Sequence, residues 1–275
     1  MWMWQLIFNL TMKIASWNIN SIRTRLEQLI TWLNESNPDI VLLQETKVLD
    51  ENFPFEPIED CGYNIVVHGQ KSYNGVAILS KFPLEDIQIG FPGQKDPSQA
   101  RYIEAVTNNL RVASVYVPNG QEVGHDKYHY KLKFLEDFFH YTNQLQGLNE
   151  RVIIGGDYNI APTDLDVYDA KKFQDRILAS PLERRAWRKI IHSGWIDAVA
   201  AYLGTNDLNA ETFYTWWDYR QGSWEQNRGL RIDHFLLTPQ AADQIKTISV
   251  DTDLRGNIRP SDHAPLILEL TQLIV

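Results

Sequence analysis

The residues of this chain best suited to chemistry stand where apolar runs end. Asn18 closes Ile14-Ala15-Ser16-Trp17, Glu45 follows Ile40-Val41-Leu42-Leu43-Gln44, and Tyr116 ends a run begun at Val112. Asp157 and Asn159 follow Val152-Ile153-Ile154-Gly155-Gly156, Asp233 lies within Arg231-Ile232-Asp233-His234-Phe235, and Asp262-His263 precedes a last apolar run. Clustered acids can hold a hard divalent cation and so serve phosphate chemistry. An imidazole beside a carboxylate can hold or pass a proton near neutral pH. Amides and phenols donate hydrogen bonds without adding negative charge. Singly, each residue has a plainer reading. An Asp after a strand is commonly a cap or turn residue, a strand-end Glu can be a solvated charge, and Asn18 could bond its own backbone. Asp262-His263 could be a turn whose imidazole caps a backbone group.

Elements must bring these distant residues together. Ile22, Leu26, Leu29, Ile30 and Leu33 recur at helical spacing, and Asn37-Pro38 closes that helix. Tyr63 to Val67 and Val76 to Leu79 predict strands around the turn Ser72-Tyr73-Asn74-Gly75. Tyr102 to Val106 and Val112 to Val117 predict a hairpin-like pair, followed by a helix with Tyr128, Leu132, Leu135, Phe139 and Leu145 on one face. Leu182 to Trp195 predicts a second long helix with Ala186, Trp187, Ile190 and Ile191 on its apolar side. Late strands are expected over Arg231 to Leu237 and Ala264 to Leu270. Helices interleaved with single strands and strand pairs favour α/β layers with mixed sheets.

Composition narrows the class. The chain has 275 residues, 44% hydrophobic and 22% charged, enough for a sizeable core and too apolar for wholesale disorder. Thirty-five acids against 26 Lys and Arg leave a formal charge of −9, which argues against binding nucleic acid through bulk positive charge. A single cysteine, Cys61, forbids an intrachain disulfide and a multi-cysteine zinc site, and fits a reducing, cytoplasmic compartment. The opening MWMWQLIFNLT is too short to span a membrane and lacks a signal peptide's basic start. It is either a buried first strand or an extension. MKIASWN from Met12 already reads as a strand opening, so one domain over residues 12–275, with 1–11 as an N-terminal extension, is expected.

Several motifs occur in fixed order: Ser16-Trp17-Asn18, Leu43-Gln44-Glu45-Thr46-Lys47, Gly156-Asp157-Tyr158-Asn159, Arg231-Ile232-Asp233 and Ser261-Asp262-His263-Ala264-Pro265. Gly62-Tyr63-Asn64, Gly90-Phe91-Pro92-Gly93, Trp216-Trp217-Asp218-Tyr219-Arg220 and Asn227-Arg228-Gly229-Leu230 accompany them. On these residues the chain resembles the exonuclease III family of apurinic/apyrimidinic endonucleases, within the endonuclease–exonuclease–phosphatase superfamily, over residues 12 to 270. The resemblance implies a four-layer α/β sandwich, two mixed β-sheets packed face to face with helices on both outer sides. It implies Mg²⁺, with Mn²⁺ able to substitute, at a metal set drawn from Asn18, Glu45, Asp157, Asn159, Asp262 and His263. Glu45 is the main metal carboxylate in that reading. Asp157 deprotonates or orients the attacking water, Asn159 and Tyr116 donate to the scissile phosphate, and Asp233 orients His263. Either Asp157 or His263 could be the base.

The implied enzyme is an exodeoxyribonuclease III or AP endonuclease. It cleaves DNA 5′ to abasic sites, and 3′→5′ exonuclease and 3′-phosphatase activities are further options. Its partner is double-stranded DNA with abasic sites or 3′ ends, bound by a monomer with no membrane. Trp216 and Arg228, with Tyr116 and Asn159, form the implied DNA-binding set. Trp216 and Trp217 would wall an abasic sugar, to which Phe213 and Trp224 could add, although plain core packing is the alternative. Lys127, Lys131, Lys133, Arg184, Arg185, Arg188 and Lys189 are candidates for phosphate contact. Gln121-Glu122 departs from relatives that place an arginine there, which puts a DNA-inserting role for that loop in doubt.

Overall fold

A computed structural model describes residues 10–206 and 212–272. The chain opens with β1 (Leu10–Asn18), α1 (Ile22–Ser36), β2 (Ile40–Gln44), α2 (Phe55–Glu59), β3 (Asn64–His68) and β4 (Val76–Ser80). β5 (Glu85–Ile89), β6 (Tyr102–Thr107) and β7 (Leu110–Tyr116) lead to the long helix α3 (Asp126–Gln146). After β8 (Val152–Asp157) come α4 (Ala170–Phe173), α5 (Pro181–His192), β9 (Ile196–Asp197) and α6 (Ala198–Asn206). β10 (Trp216–Trp217), β11 (Gly229–Leu230), β12 (Asp233–Leu237), α7 (Pro239–Ala242), β13 (Ile245–Val250) and β14 (Leu266–Gln272) follow. Most of the expected extension, residues 1–9, lies outside the described residues, and β1 pairs with β14 from Leu10 onward.

The strands form two six-stranded sheets, ordered β13-β14-β1-β2-β4-β3 and β5-β6-β7-β8-β12-β9, with β10-β11 as a separate ribbon. Both large sheets are mixed, because β1 and β2 run parallel, as do β7 and β8. Alternation within the apolar runs explains the layering. In β2, Ile40 and Leu42 join the central core with Met12, Ile14, Ile153, Phe235 and Leu237, between the sheets. Val41 and Leu43 face the other way, onto Leu29, Trp32 and Leu33 of α1. In the second sheet Val115, Val152 and Ile154 turn outward beneath α3 and α5. A strand buried on both faces reads as a continuous apolar run, and the two sheets with helices outside form the four-layer sandwich that the resemblance implied.

Local details depart from expectation. The buried stripe of α3 runs through Phe134, Phe138 and Tyr141 as well as Tyr128, Leu135 and Leu145, while Leu132 and Phe139 are half-buried. Phe91 explains the rotation, packing within 5.3 to 5.9 Å of Phe134, Phe138 and Tyr141. The expected strand over Arg231 to Leu237 starts later, at Asp233, after a separate short strand, β11, that ends at Leu230. Between them Arg231 turns inward to pair with Asp166 at 2.6 Å and Asp197 at 2.8 Å. Gly155 has a packing reason, since a Cβ there would lie 2.6 Å from the Phe235 ring.

His234 shares that buried network. Its Nε2 lies 2.8 Å from the Ile160 carbonyl and its Nδ1 3.2 Å from the Arg231 guanidinium, with the Tyr158 and Trp187 rings packed against it. The carbonyl needs a donor and the guanidinium is one, so the ring is neutral with its proton on Nε2. Burial, then Arg231, push its pKa down to about 4 against the pull of Asp197 and Asp166. The unfolded chain therefore takes up this proton first as pH falls. Stability from His234 is complete above about pH 6.5 and is lost as pH drops toward 4, on the order of 3 kcal/mol in all. Thermal melts of wild type and His234→Gln across pH 4 to 7.5 should show a shallower acid-side slope for the variant; identical slopes would refute this.

Candidate active site

The parallel strand pairs of the two sheets deliver their carboxyl ends to one place. Asn18 ends β1 opposite Gln44 of β2, and Tyr116 ends β7 opposite Asp157 of β8. Asp233 begins β12 opposite Asp157. Ligands of open α/β sheets gather at such carboxyl ends. Gln44 bonds sheet to sheet just below, donating to Ser114 Oγ at 2.9 Å and Ser16 Oγ at 3.3 Å.

At the centre, the Asn18 amide donates both to Glu45 Oε1 at 2.8 Å and to Asp157 Oδ2 at 3.0 Å. Asp157 Oδ1 accepts from the backbone N–H of Asn159 at 2.9 Å. His263 stands between two carboxylates, its Nδ1 2.8 Å from Asp233 Oδ2 and its Nε2 3.7 Å from Asp157 Oδ2. All three are buried. Burial, then the negative charges of Asp233 and Glu45, raise the Asp157 pKa against His263 and Asn18. For His263 burial acts downward, but Asp233 and Asp157 outweigh it and raise its pKa well above the ordinary histidine value. The imidazolium thus holds a proton on Nε2 aimed at the space beside Asp157. Burial, then Glu45 and Asp157, push the Tyr116 phenol upward, so it stays a donor.

Asn159 adopts a left-handed backbone, φ 51°, and its side chain donates to the Val117 carbonyl at 3.0 Å while accepting from Asn119 at 2.9 Å. Asp262 lies beside His263, but Trp216 Nε1 donates to its Oδ2 and Asn20 Nδ2 to its Oδ1, both at 2.9 Å. Trp216 is half-buried, whereas Trp217 and Phe213 are buried and line, with Trp224, a recess that Trp216 does not reach, which corrects the expectation that they share one wall with it. Trp224 packs edge-on against Trp217 at 4.9 Å. Arg228 is half-buried and bonds the Gln221 carbonyl.

The basic residues also sort themselves. Lys131 is fully buried and paired with Glu183, so it cannot meet DNA phosphates, correcting that expectation. Lys133, Arg184 and Lys189 pair with Asp137, Asp164 and Glu136. Sequence reasoning overlooked Asn20, which links Lys47 at 2.6 Å to Asp262. Its place two residues after Asn18 was the available signal.

The centre fits a hard cation. Its donors are oxygens of Glu45 and Asp157. The Lys47 ammonium already sits 2.6 Å from Glu45 Oε2, showing a place where positive charge is favoured. Burial opposes ionisation of Glu45, yet Lys47 and Asn18 hold its pKa below the ordinary value, so it stays a carboxylate. Asp157, Asp233 and His263 could themselves be taken for a metal cluster. The His263 Nδ1–Asp233 Oδ2 contact of 2.8 Å is also an ordinary hydrogen-bond length, which joins those two as an imidazole–carboxylate pair.

A family model described as the Endonuclease/Exonuclease/phosphatase family matches residues 15–263. Exodeoxyribonuclease III of Haemophilus influenzae is 35% identical, covering 94% of this chain and 99% of that protein. The exodeoxyribonuclease of Bacillus subtilis is 31% identical over 94% of this chain and 98% of its own length. Among solved structures, the Neisseria 3′ phosphatase NExo bound to a product DNA hairpin matches with TM-score 0.89 and 36% identity, covering 95% of this chain and all (100%) of that one. An AP endonuclease from Archaeoglobus fulgidus matches equally, with TM-score 0.89, 36% identity and the same coverage of 95% and 100%. The chain belongs to the endonuclease/exonuclease/phosphatase family, whose nucleases are metal-dependent.

Asp233→Asn tests the imidazole's environment directly. Losing the carboxylate charge beside Nδ1 should move the NMR titration midpoint of His263 downward and cut phosphoesterase activity about 10- to 100-fold. An unmoved midpoint would show that Asp233 does not set the protonation of His263.

Proposed function

We propose that this chain, on the premise of its family membership, is a Mg²⁺-dependent DNA-repair phosphodiesterase that incises DNA 5′ to abasic sites and processes 3′ ends. The observation that carries the reading is His263 held between Asp157 and Asp233, with Asn18 tying Asp157 to Glu45. Relatives named for exonuclease, AP-endonuclease and 3′-phosphatase activity support it.

The protein's own residues supply most of the machinery. Asp157, raised by burial and like charges, is basic enough to take a proton from water and is oriented by the Asn159 N–H. His263, protonated and backed by Asp233, donates from Nε2 to a phosphate oxygen. Because it already carries a proton, Asp157 is the base in this reading. Tyr116 and the remaining amide hydrogen of Asn159 donate to the same phosphate. A cation held by Glu45 and Asp157 supplies charge neutralisation for the phosphate and leaving oxygen. Hard oxygen ligands favour Mg²⁺, with Mn²⁺ as a substitute. Asp262 accepts from Trp216 Nε1 and Asn20 Nδ2, so it holds Trp216 beside His263.

Trp216 then forms a wall for a flipped-out sugar, with Arg228 at the same rim. No helix among the described residues is long and apolar enough to cross a membrane. A cytoplasmic monomer is part of the same proposal.

Duplex DNA with one tetrahydrofuran abasic analogue should be incised on its 5′ side with Mg²⁺ and left intact with EDTA. Absence of incision with both Mg²⁺ and Mn²⁺ would defeat the reading. Glu45→Gln should raise the Mg²⁺ concentration for half-maximal activity at least about tenfold while the melting temperature holds; an unchanged Mg²⁺ requirement would remove Glu45 from the metal site.

Trp216→Ala should slow abasic incision about tenfold or more relative to removal of a 3′-phosphate, since stacking is worth about 1–3 kcal/mol. Trp216→Phe keeps a ring but not the N–H on Asp262, so it separates stacking from that hydrogen bond. If Trp216→Ala depressed both rates equally and lowered the melting temperature, the wall assignment would be wrong.

A further inference from the structure

Beneath Asn159 lies a buried ion pair that the chemistry above does not use. Lys131 of α3 and Glu183 of α5 are both 0% exposed. The Lys131 ammonium donates to the Asn159 carbonyl at 2.6 Å, to the Asn119 carbonyl at 3.1 Å, and to Glu183 Oε1. Those contacts use all three of its hydrogens. Glu183 is equally occupied: Oε1 accepts from the Leu178 N–H at 3.1 Å, and Oε2 from the Ser180 N–H at 3.0 Å and hydroxyl at 2.6 Å.

Stability alone does not explain such a pair. Enclosing two charges costs solvation that their attraction only roughly repays, and apolar replacements are often neutral or better. What Lys131 provides is a join. The Asn119 carbonyl belongs to the loop leaving β7 after Tyr116, and the Asn159 carbonyl to the loop leaving β8 after Asp157. Asn119 also donates across to the Asn159 side chain. Asn159 holds a left-handed backbone, φ 51°, so its amide leaves the strand at a sharp turn between these two loops. A neutral side chain of the same length could not bind two carbonyls and a carboxylate at once.

We propose that Lys131 is a positioning residue: by gripping the Asn119 and Asn159 carbonyls it fixes the Asn159 amide against the scissile phosphate, with Glu183 holding the ammonium in place. The role rests on the phosphodiesterase reading of this site. Its effect belongs to the chemical step and not to DNA affinity, because Lys131 has no exposed atom with which to meet DNA.

The decisive variant is Lys131→Met with Glu183→Gln, which removes both charges together and leaves no lone buried carboxylate. Lys131→Met alone is the harsher companion. Single-turnover incision of the tetrahydrofuran duplex with Mg²⁺, well below the melting temperature, should fall about 10- to 100-fold by analogy with residues that orient active-site ligands. The Kd for the same duplex in EDTA should stay within twofold. Amide hydrogen exchange should quicken in 117–121 and 158–160 while β1 and β2 keep their protection. A single-turnover rate within twofold of wild type would overturn the proposal, and so would a rate loss without faster exchange at 158–160. Should the wild-type protein incise nothing, the functional reading fails by itself. Exchange then decides alone: faster exchange at 158–160 upholds the grip of Lys131 on that loop, and unchanged exchange overturns it.

Discussion

Everything about this centre follows from placing carboxylates where two sheets run out of strand and water is scarce. Asp157 and Asp233 are 1% and 0% exposed, and Glu45 lies close enough to raise the Asp157 pKa. Unpaired, such charges would be too costly to fold around. The protein meets the cost with a few donors: one amide, Asn18, shared by Glu45 and Asp157; one imidazole, His263, between Asp157 and Asp233; one backbone N–H from Asn159; and the Lys47 ammonium on Glu45. The compensation is left incomplete. Among the described residues Asp233 Oδ1 has no hydrogen-bond partner, and the carboxylates of Glu45, Asp157 and Asp233 outnumber the cationic Lys47 and His263. Such an excess of negative charge favours an added cation, in keeping with the metal dependence of the family's nucleases.

The same crowding shapes the backbone. Asn20, Glu45, Lys47 and Asn159 all have positive φ, from 46° to 57°. Asparagine tolerates that region, but Glu and Lys pay about 1–2 kcal/mol for it. Neighbouring segments hold them there: the Glu45 carbonyl accepts from the Ser21 N–H at 2.7 Å, and the Lys47 N–H donates to the Asn74 carbonyl at 3.0 Å. Turning sharply at the strand end lets Glu45 point across the mouth of its sheet toward Asn18. Left-handed residues also occur elsewhere, Asp86 and Leu178 among them, but at the candidate site these four cluster where the strands end.

This division explains what the sequence disclosed. Ile40-Val41-Leu42-Leu43 and Val152-Ile153-Ile154 were legible as strands because both of their faces are buried, and the polar residues ending them therefore mark the site. β5 and β13 escaped notice because they are exposed or half-exposed and carry no long apolar run. Lys131 looked like any helix-surface charge, since nothing near it in sequence announces Glu183, 52 positions away. Trp216 and Trp217 are adjacent and alike, yet one is core and the other rim. A strand turns consecutive side chains to opposite faces, and only the pairing of β10 with β11 decides which is which.

That pairing also couples recognition to chemistry. Trp217 N–H donates to the Asp262 carbonyl at 2.9 Å, Trp216 bridges to His263 through the backbone, and Trp216 Nε1 holds the Asp262 carboxylate. Trp216 and His263 are therefore parts of one hydrogen-bonded unit. Asn20 ties the far side of that unit to Lys47 and so to Glu45. A group seated against Trp216 meets a surface whose position is set by the same bonds that place His263. Neither can shift without moving Asp262 between them. Trp216 and His263 are thus linked through Asp262, while the Trp216 ring itself stands half-buried beyond that link.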